Sequence, residues 1–177
     1  MIETARLRLV PATAALARAE LGDRTQFARL LGARVPEGWP PETLADALPL
    51  FLQWLEEAPE HAGWLAWYAL AEDGGTTGWV LVASGGFKGP PLDNTVEIGY
   101  SVLPQYQGGG YATEMVRGLV AWAMAQPGVA HVVAEAEGDN PASVRVLLKP
   151  GFVACRPGEE PGCARFEFVN GGMSDAT

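Results

Sequence analysis

The chain is poor in cysteine, histidine and basic residues, and each shortage excludes something. Its two cysteines, Cys155 and Cys163, cannot build a disulfide framework. Its two histidines, His61 and His131, share no ligand spacing with them, so no metal is expected. Lys and Arg number 12 against 21 Asp and Glu, a formal charge of -9, so nucleic acid is not an expected partner. Such a field favours a cationic partner such as an amine, although most of this charge reads as solvated surface. No apolar run is long enough to span a bilayer, so no membrane partner is expected. The opening Met1 to Arg6 lacks the basic segment and apolar run of a signal peptide, and a cytoplasmic location is the expectation.

What is present suits one domain over 1–169. The tail, 170–177, is small and polar and is expected to fray. Thr4 to Val10 alternates, with Leu7 and Leu9 on one face, and reads as an edge strand. Pro11 opens an Ala-rich helix to Leu21; Gly22-Asp23 breaks it, and Arg24 to Leu31 reads as a second helix. A proline-rich loop over 35–41 leads into Glu42 to Glu57. There Leu44, Leu48, Phe51, Leu52 and Leu55 recur at helical spacing, and Pro49 is expected to kink or split the helix. Strands follow at Trp64 to Leu70, Thr76 to Ser84 and Thr95 to Leu103, with a turn at Asp73-Gly74-Gly75 and a loop from Gly85 to Asn94. Beyond Gly108-Gly109-Gly110, the residues Ala112, Met115, Val116, Leu119, Val120 and Ala123 line one helix face. Val129 to Ala136 is a strand, Ala142 to Lys149 a helix, and strands begin at Gly151-Phe152 and Arg165. The early strands should be antiparallel. The strand–helix–strand passage from about 95 to about 136 should be a parallel crossover.

The glycine loop is the most informative stretch. A strand runs into it and a helix runs out, and the first turn of a helix offers free N–H groups and a partial positive charge. Glycines remove the side chains that would keep an anion away, which makes a phosphate site. The loop lacks the Lys-Ser/Thr ending of a nucleoside-triphosphate loop and the spacing of a dinucleotide fingerprint.

Gln107-x-x-Gly110-x-Ala112 resembles the acetyl-CoA pyrophosphate motif of the GNAT superfamily, Gln/Arg-x-x-Gly-x-Gly/Ala. Tyr106, Tyr111, Thr113 and Glu114 around it are similar to the branch of ribosomal-protein N-terminal acetyltransferases. A second block, Asn140-x-x-Ser143-x-x-x-Leu147-x-x-x-Gly151-Phe152, resembles the family's second motif, and Thr4-x-Arg6-Leu7-x-Leu9 fits its opening. Two positions depart. Gly109 stands where Gln or Arg is common, and Pro150 should end its helix early.

The resemblance implies a GNAT fold: an α/β (α+β) domain with a central mixed, mostly antiparallel sheet of six to seven strands, a V-shaped splay and flanking helices. It implies acetyl-CoA as cosubstrate and an amine acceptor, either a peptide N-terminus or a small molecule, in a monomer or homodimer. Val102 and Leu103 would offer backbone groups to pantetheine. Gln107, Gly108, Gly109, Gly110, Tyr111 and Ala112 would hold the pyrophosphate. Asn140 would bind the cofactor arm or cap its helix. Glu97 is the candidate base, sharing a strand face with Gly99 and Ser101; the alternative is an ion-pair partner for a nearby Arg. Ser143 is the candidate acid for the departing thiolate; the alternative is a first-turn helix serine. Many members use a tyrosine beyond this second block, and none of Tyr68, Tyr100, Tyr106 and Tyr111 falls there. A GNAT-fold module that binds acyl-CoA without turnover is the rival reading. Trp39 and the segment Phe87-Lys88-Gly89-Pro90-Pro91 are candidates for walling the acceptor pocket. His131 and the two cysteines read as structural.

Overall fold

The computed structural model describes residues 1–74, 78–137, 139–159 and 161–169, apart from the side chains of Glu42 and Thr43. The expected frayed tail lies outside the described residues, as do Gly75 of the expected turn and the first two residues of the strand expected from Thr76.

Eight strands form one sheet in the order β1-β2-β3-β4-β5-β6-β8-β7. They are β1 (Ile2–Glu3), β2 (Leu7–Pro11), β3 (Ala66–Glu72), β4 (Trp79–Phe87), β5 (Thr95–Val102), β6 (His131–Glu137), β7 (Phe152–Pro157) and β8 (Cys163–Phe168). The helices are α1 (Ala14–Gly22), α2 (Arg24–Leu31), α3 (Glu42–Glu57), α4 (Tyr111–Met124) and α5 (Pro141–Leu148).

The sheet is one strand larger than expected because the chain opens as a hairpin. Ile2–Glu3 folds back on Leu9 and Arg8, so Thr4 to Val10 is not one continuous strand. Pro11 ends β2 and does not open a helix; Thr13 caps α1, its side chain accepting from the Leu16 N–H. Asp23 closes α1 and caps α2 through the Gln26 N–H. α3 remains a single helix with Pro49 inside it. β4 extends through Gly85-Gly86-Phe87, a stretch expected to be loop, because it pairs on both sides, with β3 and with β5.

Two cores sandwich the sheet. On one face α4 and α5 bury Met115, Val116, Leu119 and Leu147 against Leu7, Leu9, Val96 and Ile98. Full burial of each such side chain contributes roughly 1.5–3 kcal/mol, before the loss of conformational entropy. On the other face α1, α2 and α3 cover Tyr68, Leu70 and Leu81. There the Glu20 carboxylate accepts hydrogen bonds from Tyr68 Oη and, at 2.6 Å, from Trp39 Nε1, joining α1 to β3.

The parallel pair fixes the site. β5 and β6 are in register only over Thr95–Glu97 and His131–Val133. Beyond that point β5 stays paired with β4 as far as Val102, while β6 pairs with β8 as far as Glu137. The two strands therefore diverge after Glu97 and Val133, leaving the β6-facing edge of Ile98 to Val102 open.

Candidate active site

The glycine loop sits at the open end of this V. Gly110 is the N-cap of α4 in the left-handed region, with φ 83°, and no side chain caps the helix. Gly108 is also left-handed, with φ 78°. Helix geometry leaves the first-turn amides of α4 without intrahelical acceptors, so they face outward as donors at the positive end of a buried, 14-residue helix.

The loop is braced from the turn between β1 and β2. Arg6 Nη1 donates to the Gly109 carbonyl at 2.9 Å, Arg6 Nε donates to Glu114 at 2.8 Å, and the guanidinium lies 4.9 Å from the Tyr111 ring centre. Glu114 also accepts from Thr4 Oγ1 at 2.6 Å and from the Arg6 N–H at 2.7 Å. Burial pushes the Glu114 carboxyl up, but these hydrogen bonds together hold it below the usual carboxylate range. The sequence displayed Arg6 on the polar side of a strand and in the family's opening motif, but not as a brace for the loop.

The remaining expected residues divide. Gln107 is exposed beside the loop, its side-chain amide donating to the Val102 carbonyl at 3.0 Å. Leu103 is buried; its N–H donates to Val82 and its carbonyl accepts from Tyr106. Asn140 takes the capping alternative, its Oδ1 accepting the Ser143 N–H at 3.0 Å. Glu97 sits at the vertex of the V. It pairs with Lys88 Nζ and, at 3.7 Å, with Arg165 Nη1, which also reaches Glu135 and Glu159. Both Glu97 oxygens thus have cationic partners, which supports the structural alternative. Trp39 is buried in the core beneath α3 and does not wall the cavity described below; Phe87 and Lys88 do line it. His131 pairs with Glu167 at 2.7 Å, as a structural histidine would.

Ser143 has an unforeseen companion. Tyr100, on the open stretch of β5, places its hydroxyl 2.9 Å from Ser143 Oγ and donates to the Ser143 carbonyl at 3.0 Å. Burial pushes the Tyr100 hydroxyl up, against the opposing effect of the Ser143 bond, so the pair holds a proton at neutral pH. Two hydroxyls therefore bridge β5 and α5 where the strands part. The alternation of β5 contained a signal, since Tyr100 faces away from Glu97, but the partner lies 43 residues onward.

On the opposite face of β5 lies a cavity of about 390 Å³. Its floor consists of directly opposed pairs on β4 and β5, Gly86 with Gly99 and Ser84 with Ser101, and α3 roofs it. The two glycines serve different ends. A Cβ on Gly86 would lie 1.7 Å from the Leu65 carbonyl oxygen, so packing demands glycine there. A Cβ on Gly99 would meet no heavy atom within 4 Å, although Gly99 lies mid-strand where glycine weakens a sheet. Packing among the described residues does not explain Gly99.

An open parallel pair, a glycine-led helix start and a cavity on the far side of the same strand thus come together on one α/β sheet. The acetyltransferase (GNAT) domain family matches residues 6–153, and the chain belongs to that family of N-acetyltransferases. It is 29% identical over 154 residues to an uncharacterized N-acetyltransferase, YjdG, of Bacillus subtilis, covering 86% of this chain and 89% of that one. Among solved structures it resembles a putative ribosomal-protein-serine acetyltransferase from Vibrio cholerae, with TM-score 0.60, 20% identity and coverage of 95% of this chain and 96% of that one. It also resembles AAC(6')-Ib in complex with paromomycin and acetyl-CoA, with TM-score 0.59, 19% identity and coverage of 97% and 99%. These two likenesses concern the fold.

Proposed function

We propose that the protein transfers an acetyl group from acetyl-CoA to a primary amine by direct attack within a ternary complex. The observation that carries this reading is the separation of β5 from β6 immediately beside an uncapped, glycine-led helix start. The α4 amides, with Gln107, Gly108, Gly109, Gly110, Tyr111 and Ala112 around them, would hold the pyrophosphate. Pantetheine would lie along the open edge of Ile98 to Val102, pairing with backbone as an added strand does.

The amine approaches across Gly99 from the cavity. Its nitrogen bonds to the thioester carbonyl carbon, and the carbon–sulfur bond breaks. The sulfur takes a proton from the Tyr100–Ser143 hydroxyl pair, which recovers one through water from the cationic nitrogen of the tetrahedral adduct, so that a neutral amide and a free thiol leave. Holding both reactants in place is the larger contribution. Glu97 keeps a place beside this route as the vertex clamp between Lys88 and Arg165. A peptide α-amine, in line with the ribosomal-protein branch that the loop resembles, has a pKa near ~8 and needs little help to become neutral, whereas a lysine amine near ~10.4 needs more.

The test is incubation of the folded protein with acetyl-CoA and a panel of amines, following free thiol and acetylated product by mass spectrometry. Acceptor-dependent thiol release is expected. Bound CoA with no turnover of any amine would leave a binding module in its place.

A further inference from the structure

We infer that the acceptor is an amine with an apolar body and no second positive charge, lodged beneath α3 with its nitrogen over the Gly86–Gly99 pair. This rests on the acetyl-transfer reading. The roof of the cavity is Leu44, Ala47 and Phe51 of α3, and the end wall is Leu65 and Phe87. Among the described lining residues, polar side chains come from Ser84 and Ser101 on the floor, from Lys88, and from Tyr100, whose hydroxyl is bonded to Ser143. None of these lining residues is a carboxylate, and the charged one is a cation.

A polyamine or an aminoglycoside carries several ammonium groups. Each must keep its water or find a carboxylate as it enters. Beside Lys88, Glu97 is held between Lys88 and Arg165, and Glu135 and Glu159 pair with Arg165. The chain's formal charge of -9 is thus not represented among the described lining residues. An apolar side chain gains from the same walls. Burying one against Phe51 and Leu44 corresponds to about tenfold to hundredfold in selectivity.

The experiment compares amines of similar basicity: 2-phenylethylamine against spermidine, and a Leu-led peptide against Gly-led and Lys-led peptides of the same remaining sequence. With saturating acetyl-CoA, kcat/KM should be at least tenfold higher for 2-phenylethylamine and for the Leu-led peptide. Two variants locate the preference. Phe51→Ala, at a partly exposed roof position, should cut kcat/KM for the apolar acceptors about tenfold more than for spermidine. Ala47→Asp should raise spermidine relative to 2-phenylethylamine by about tenfold, its folding checked by its melting curve. Equal or faster acetylation of spermidine or the Lys-led peptide by the wild type would overturn the inference while leaving acetyl transfer intact. Transfer to no amine by protein that binds acetyl-CoA would overturn acetyl transfer, and the inference with it.

Discussion

Replacing Gly99 by alanine separates what the fold needs from what the reaction needs. Gly99 is mid-strand in β5, outside the positive-φ region, and an added Cβ meets nothing within 4 Å. Glycine in a strand interior costs roughly 0.5–1 kcal/mol relative to alanine. Gly99→Ala should therefore stabilise the protein by about that amount. For a domain of this size, 1 kcal/mol corresponds to about 2–4 °C in Tm. The same methyl group stands on the passage between the α3 cavity and the open edge of β5. A displacement of about 1 Å in a reacting group costs about 10²-fold in rate. The proposed phosphate site at Gly108 to Ala112 is untouched, so the Kd for CoA should stay within about threefold. The assay set is a melting curve, calorimetry with CoA, and thiol release with the best acceptor. Raised Tm with unchanged CoA affinity and about a hundredfold lower kcat/KM is the expected pattern. Full activity in Gly99→Ala would refute the placement of the acceptor route; a lowered Tm would show that packing, not the ligand, demands glycine there.

The Tyr100–Ser143 pair should behave as one unit. Tyr100→Phe and Ser143→Ala should each lower kcat by about 10- to 100-fold with little change in CoA affinity, and the double variant should lose little more, as steady-state kinetics can measure. Gly110→Ala places a side chain at φ 83° and a Cβ 3.3 Å from Arg6 Nη2. It should cost about 1–2 kcal/mol of stability and weaken CoA binding at least tenfold, read by denaturant unfolding and calorimetry. Glu114 has its carboxyl held below the usual range, so its contribution to stability is full above the unfolded value, about pH 4.3, and fades as pH falls through the lower folded value. The Tm difference between wild type and Glu114→Gln should be constant from about pH 5 to about pH 7 and shrink below about pH 4; a difference that grows on acidification would contradict the brace.

Local chemistry made much of the fold legible. α2 and α3 have the bounds that the Asp23 cap and the Leu44 to Leu55 periodicity imply, and the glycine triplet marks the start of α4. Tertiary pairing overrode local signals elsewhere. Gly85-Gly86-Phe87 carries loop composition, yet lies in β4 because β3 and β5 hydrogen-bond it from both sides. Ile2–Glu3 is too short to show any alternation and exists through pairing with β2. The glycine loop could be placed between β5 and α4 because strand, glycines and helix are contiguous. The hydroxyl pair and the cavity could not, since Tyr100 and Ser143 come from separate elements and Leu44 meets Gly99 only after α3 has packed on the sheet. Glu97 was visible as an acidic residue on the right strand, but its cations arrive from the loop after β4 and from β8.

The most direct measurement is titration calorimetry of the folded wild-type protein with acetyl-CoA beside the same titration of Gly110→Ala. One-to-one binding by the wild type, weakened at least tenfold in the variant, is what an uncapped α4 terminus holding a diphosphate predicts. No binding heat over a range of temperatures, or equal affinity in the two proteins, would contradict it.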